Sequence, residues 1–218
     1  MRADKLIVLG LSEPTLTMIL DNLESCGRFP DVVLVNNLAR ADLAPFGNPR
    51  FRVDTVTATD AVDFSANAFL GVNKPGSKRA VFEHFKACSP AFTTIVHRAS
   101  AISSTATLGR GVHINSLVSI AAFARLGDFV SINRNASVGH HADVGDFVTI
   151  NPGANIAGFA RIGAHTLVGM GVNVMDGLEI GAHTIVGAGS LVTKSLPSGV
   201  VAYGNPCRVV RDNEAQPV

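Results

Sequence analysis

The feature that most constrains this chain is a six-residue period that runs unbroken from Val96 to Val192. Stepping by six from Val96 meets Ile102, Leu108, Ile114 and Ile120, and the step continues to Val192 with only Val, Ile or Leu at each stop. Four residues after a stop the side chain is small or β-branched, as at Ala106, Val112, Val118 and Ala124. Glycine often follows the stop directly (Gly109, Gly127, Gly139, Gly145). Six is not a multiple of 3.6, so the period excludes helices, whereas a strand with alternating side chains accommodates it. Each hexad then supplies one short strand and one turn. Three hexads close a triangular coil of 18 residues, and coils stacked about 4.8 Å apart pair every strand with the coils above and below. The expected result is a solenoid over residues 96–194 with a continuous aliphatic column inside.

The flanks lack the period. In residues 1–95, Lys5–Gly10 reads as a buried strand. Pro14–Ser25 reads as a helix, with Ser12 as its cap and Gly27 beyond its end. Val32–Asn36 and Ala68–Val72 read as further strands, Ser77–Ala87 as a helix, and Thr93–Val96 as a short strand leading into the solenoid. This alternation predicts a small parallel α/β domain. After Val192, an SLPSG turn and a GNP turn separate apolar stretches, predicting a terminal strand pair over 195–218 with frayed residues from Asp212 to Val218.

Composition agrees and narrows the function classes. Hydrophobic residues make up 47% of the chain, aromatics only 6%, and tryptophan is absent, which suits a core of Val, Ile, Leu and Ala. A net charge of +1 offers no broad basic face for nucleic acid. No 18-residue apolar run predicts membrane insertion, and the N-terminus lacks the pattern of a signal peptide. Three widely spaced cysteines predict no disulfide framework and a reducing, cytoplasmic setting.

The repeat [LIV]-G-x-x-[STAV]-x resembles that of the left-handed β-helix acyltransferases. With the N-terminal α/β segment and the tail VVAYGNPCR, it resembles one branch of them. That branch is the sugar acetyltransferases of the bacillosamine and perosamine N-acetyltransferase type, with the sialic acid O-acetyltransferases. The resemblance implies a fold that is α/β plus all-β: a small Rossmann-like N-terminal domain followed by a left-handed parallel β-helix. It also implies a homotrimer with active sites between subunits, acetyl-CoA as co-substrate, and a nucleotide-linked amino sugar as acceptor in surface glycan synthesis.

Residue roles follow from the same resemblance. The enzymes it resembles carry a basic histidine five positions before Gly-Asp/Glu-aromatic. Counting back from Gly145-Asp146-Phe147 gives His140 as the general base. The acidic residue that usually follows is replaced by His141, which joins the catalytic pair, and Asp143 and Asp128 are nearby candidates for the missing carboxylate. Nine residues after the base, Thr149 stands where a histidine can contact acetyl-CoA. Gly158, one coil beyond the base, is implied to aim its backbone N–H at the thioester, with Met170 and Ala188 along the CoA arm. Asn133 matches an asparagine that meets the acceptor, and reads equally as a ladder-forming turn residue. His165 and His183, 18 residues apart, read as stacked, solvated turn residues in the column of Phe147. Lys194 and Arg208 are exposed cations that read either as phosphate contacts or as solvated charges. In the first domain, Gly10, Ser12, Asn36 and Asn37 stand where the nucleotide part of the substrate is held. The glycine-rich turn is reduced there to one glycine, with Glu13 and Pro14 disfavouring a phosphate.

Two other readings stay open. A zinc enzyme of the trimeric β-helix carbonic anhydrase type needs histidines five residues apart, a spacing this chain lacks, so no metal is expected. The altered glycine turn, His141 and Thr149 also fit a non-catalytic homologue that binds a ligand or partner.

Overall fold

The computed structural model describes residues 5–10, 12–35, 51–56 and 62–214. An α/β unit opens the chain with β1 (Lys5–Leu9), α1 (Glu13–Ser25), β2 (Asp31–Val35), β3 (Val53–Val56), β4 (Asn67–Leu70), α2 (Pro75–Phe85) and β5 (Ala91–Phe92). All five strands are parallel in the order β3-β2-β1-β4-β5, the doubly wound arrangement. The central strand β1 is apolar on both faces because both are covered. Leu6 and Val8 pack with Leu16 and Ile19 of α1, while Ile7 and Leu9 pack with Phe85 of α2 and with Phe129 and Phe147 of the solenoid.

The solenoid consists of seventeen two-residue strands, β6 (Ile95–Val96) through β22 (Leu191–Val192), one every six residues. Every third strand pairs in parallel at a register of 18 residues, as Ser119 does with Ser137, so each coil has three faces. The first face carries β6, β9 (His113–Ile114), β12 (Ser131–Ile132), β15 (Thr149–Ile150), β18 (Leu167–Val168) and β21 (Ile185–Val186). The second begins at β7 (Ala101–Ile102) and the third at β8 (Thr107–Leu108). The periodic aliphatics and the small residues four positions later both point inward and form one continuous core.

The corners explain how non-glycine residues tolerate tight turns. Phe123, Phe129, His141, Phe147, Phe159 and His165 all adopt left-handed backbone with φ between 57° and 61°, a conformation that costs roughly 1–2 kcal/mol for an L-residue. Each is offset by a hydrogen bond and a ring stack. Phe147 N–H donates to Asp128 O at 2.8 Å and His165 N–H to Asp146 O at 2.8 Å, each reaching one coil back. Successive rings stack in the same column: Phe129 on Phe147 at 5.0 Å, Phe147 on His165 at 5.0 Å, and His165 on His183 at 4.7 Å.

The α/β unit docks on the first face. Lys78 of α2 is completely buried, and its Nζ donates to Phe129 O (2.8 Å), Val148 O (3.0 Å) and Ser131 Oγ (3.2 Å). Desolvation holds its pKa well below the usual lysine value. His113 is buried beside it, edge-on to Phe69 at 5.2 Å. Burial, and then the charge of Lys78, lower its pKa to about 3. Asn22 of α1 adds a bond from Nδ2 to Ile114 O at 3.0 Å.

Three expectations are corrected. Thr93–Val96 is not one strand: β5 completes the α/β sheet and β6 starts the solenoid. β3 was not foreseen, because this edge strand is short and its VDTV sequence is neither an apolar run nor an alternating pattern. The terminal pair forms an antiparallel hairpin of β23 (Val200–Gly204) and β24 (Cys207–Asp212), whose β23 continues the first face. Asp212 and Asn213 are not frayed. Asp212 belongs to β24, Asn213 N–H donates to Gly199 O at 2.7 Å, and its Nδ2 donates to His183 O at 2.8 Å.

Candidate active site

Most of the candidate residues fall into two groups on different parts of the prism. The first lines a cavity of about 850 Å³ between the α/β unit and the first face of the solenoid. It opens where β1 and β4 diverge toward their separate crossovers, the switch point at which doubly wound sheets bind ligands. Gly10 leaves β1 with φ of 72°, and a Cβ on Gly71 would collide with its carbonyl oxygen, so the two strand ends close tightly. Ser12 N–H donates to Gly71 O at 2.8 Å and caps the floor. Gly10, Ser12 and Thr149 all line this cavity, together with Asn73, Lys74 and His84. Lys74 lies immediately before α2 and is the cation of that wall. Asn36 and Asn37 lie outside the described residues.

Thr149 departs from its expected use. It is buried, and its hydroxyl donates to Asn73 O at 2.6 Å, so its proton braces the cavity wall instead of pointing outward. Asn133 is likewise buried in a ladder. It accepts from Asn115 Nδ2 (3.2 Å) and donates to Asn151 Oδ1 (3.4 Å), and Asn151 in turn lines the cavity.

The second group sits on the corner between the second and third faces, opposite the first. His140 and His141 follow β13 (Ser137–Val138) and precede β14 (Asp143–Val144). His141 is held in a ring column, 4.9 Å from Phe123 and 4.9 Å from Phe159, and nearly parallel to the latter. His140 meets Phe159 edge-on at 5.0 Å. Its Nδ1 lies 3.3 Å from Nδ1 of His141, so in the neutral pair one ring donates and the other accepts. The opposite edge of His140 rises over Gly158. A Cβ on Gly158 would lie 2.7 Å from His140 Cε1 and 2.8 Å from its Nε2. Only glycine leaves room for the imidazole there.

Neither proposed carboxylate reaches this ring. Asp128 is on another corner and holds Arg110, with Nε at 2.7 Å. Asp143 stands on the third face in register between Arg125 and Arg161. Among the described residues the hydrogen-bonding partner of the His140 ring is His141. Met170 and Ala188 lie one coil apart on the third corner, between the first and second faces, and both are exposed. Lys194 and Arg208 are exposed as well. Sequence reasoning missed Lys78, His113 and the ring column around His141. It also missed Asp176, which the 18-residue step from His140 through Gly158 reaches directly.

The model of the bacterial transferase hexapeptide, six repeats, matches residues 159–194. No curated protein sequence matches the chain. Among solved structures, the chain is similar to perosamine N-acetyltransferase from Caulobacter crescentus. A histidine-to-asparagine variant of that protein, solved with CoA and GDP-perosamine, has 24% identity and a TM-score of 0.82, with 97% of this chain and 99% of that one covered. The acetyltransferase domain of PglB from Neisseria gonorrhoeae, solved in complex with acetyl coenzyme A, is 22% identical with a TM-score of 0.85, covering 95% and 100%. WeeI from Acinetobacter baumannii is 19% identical with a TM-score of 0.80, covering 94% and 100%. These neighbours are left-handed β-helices, the exception to the usual right-handed crossover. The chain therefore carries the bacterial-transferase hexapeptide repeat and shares, across nearly its whole length, the two-part fold of these acetyltransferases.

Proposed function

We propose that this protein transfers an acetyl group from acetyl-CoA to the amine of a nucleotide-linked sugar, with His140 as general base. The observation that carries this reading is the placement of His140, with one nitrogen on His141 and the other facing the space over Gly158. In the productive tautomer, His140 Nδ1–H donates to His141 Nδ1 and leaves Nε2 with a free lone pair. His141 thus takes over the orienting task of an acidic neighbour, as a neutral acceptor fixed by its stack on Phe159. The neutral sugar amine attacks the thioester carbonyl, and the C–N bond forms as the C–S bond breaks. The surplus proton of the amine passes to His140 Nε2 and from there to the departing CoA thiolate. Gly158 offers its backbone N–H to the developing oxyanion.

The acceptor is read from the cavity at the switch point. Its volume of about 850 Å³ and the cation Lys74 suit a nucleotide sugar, and similar proteins were solved with GDP-perosamine and CoA. The cavity lies on the first face and His140 on the opposite corner, so a sugar held in one copy is out of reach of that copy's own base. The reading therefore requires His140 from a second copy, and a closed ring of three chains supplies it at each site. Exposed Leu117, Phe123 and Phe159 on the corners supply apolar contact for such an assembly. The test is an acetyl-transfer assay across UDP-, GDP- and dTDP-linked 4-amino sugars, with solution mass measured in parallel. N-acetylated product from a particle of three chains is expected. Acetylation of a hydroxyl alone would replace the amine with an O-acetyl acceptor.

A further inference from the structure

The corner that holds His140 contains a carboxylate that the proposed chemistry has not used. Stepping by one coil, the column runs His140, Gly158, Asp176. The point a Cβ on Gly158 would occupy lies 2.8 Å from His140 Nε2 and 2.9 Å from Asp176 Oδ1. The imidazole rises into that space from the coil below, and the carboxylate descends into it from the coil above. The absence of a side chain at Gly158 leaves one open space that both groups border.

The descent of Asp176 is a habit of its turn position and not an accident of one side chain. The same position on the neighbouring corner is held by Asp128 and Asp146. Asp146 Oδ1 accepts the N–H of Asp128 at 2.8 Å, and Asp128 Oδ1 accepts the N–H of Arg110 at 3.0 Å, each one coil back. An aspartate at this place therefore leans over the residue 18 positions earlier. For Asp176 that residue is a glycine, and His140 is beneath it.

We infer that Asp176 is the positioning residue for His140, the carboxylate that faces Nε2 when the ring carries the proton taken from the acceptor. This rests on the acetyl-transfer reading above and assigns the acidic partner that His141 cannot be. The division of labour follows from geometry. His141 engages Nδ1 and sets the tautomer of the resting ring, while Asp176 lies on the Nε2 side, where the proton from the acceptor arrives. Phe159 at its edge, Gly158 above and Ala122 in the coil below are uncharged, and Arg125, Asp143 and Arg161 line a pocket on the His141 side.

The test compares the parent with D176N and D176E in steady-state acetyl transfer, varying acetyl-CoA and the amino sugar separately. Asn keeps the size and the acceptor oxygen of Asp but not the charge, so a purely structural role survives D176N. The expected result is a kcat reduced tenfold or more in D176N, both KM values within twofold of the parent, and recovery to within threefold in D176E. A D176N with the kcat of the parent, or a loss confined to KM, would overturn the inference while leaving the acetyl-transfer reading intact. A parent that turns over no amine or hydroxyl acceptor would instead overturn that reading, and the role of Asp176 with it.

Discussion

Acid should loosen the junction between the α/β unit and the solenoid through one residue, His113. Its imidazole is buried edge-on to Phe69, its Nε2 has no hydrogen-bond partner among the described residues, and burial, with the charge of Lys78, lowers its pKa from the usual 6.5 to about 3. The unfolded chain takes up a proton at this residue below pH 6.5, whereas the folded chain resists protonation down to about 3. Folded stability is therefore complete above pH 6.5 and declines as pH falls through that window. At 1.36 kcal/mol per pH unit, the loss at pH 4.5 is about 2.7 kcal/mol. H113L replaces the ring with an apolar group of similar size and abolishes this linkage, while every other titrating group remains. Urea unfolding of both proteins, followed by circular dichroism because the chain has no tryptophan, gives the comparison at pH 7.5 and pH 4.5. The stability difference between H113L and the parent should move in favour of H113L by roughly 2–3 kcal/mol on acidification. A difference that stays constant to within about 0.5 kcal/mol, the usual additivity error, would refute the claim that His113 is held neutral by burial.

Other consequences are sharper for function. H140A should lower kcat by about 10²–10⁴-fold, the range for losing a general base, with its melting temperature unchanged. G158A should fold but lose about 10²-fold in kcat, because the new methyl carbon would lie 2.7 Å from His140 Cε1 and displace the ring. K78M leaves Phe129 O without the Lys78 donor and Val148 O with only the Ser131 N–H, and should destabilise the protein by about 1–3 kcal/mol in denaturant titration. T149V removes the bond to Asn73 and should raise KM for the amino sugar more than KM for acetyl-CoA, since that bond braces the cavity wall.

The solenoid was legible because every hexad repeats one physical demand. The column from Val96 to Val192 could be placed inward, and its coil length counted, from aliphatic spacing alone. The parallel sheet was legible for a related reason: β1 and β2 read as apolar runs because both of their faces are covered. Docking was not legible. Lys78 looks like an ordinary helix lysine until residues 51 and 70 positions away deliver their carbonyl oxygens to it. Thr149 and Asn133 were assigned by matching positions, which says nothing about whether a hydroxyl or amide is already spent inside the chain. Asp176 was within reach of sequence reasoning, since the coil length that links His140 to Gly158 links Gly158 to Asp176. Its importance appeared only once the missing side chain at Gly158 was seen to join the three.

The central claim is acetyl transfer by His140, and it is tested most directly by CoA-thiol release on mixing the purified protein with acetyl-CoA and nucleotide-linked amino sugars. The account predicts thiol release that depends on one such sugar, a product heavier by one acetyl group, and loss of both in H140A. Equal turnover by H140A and the parent would contradict it.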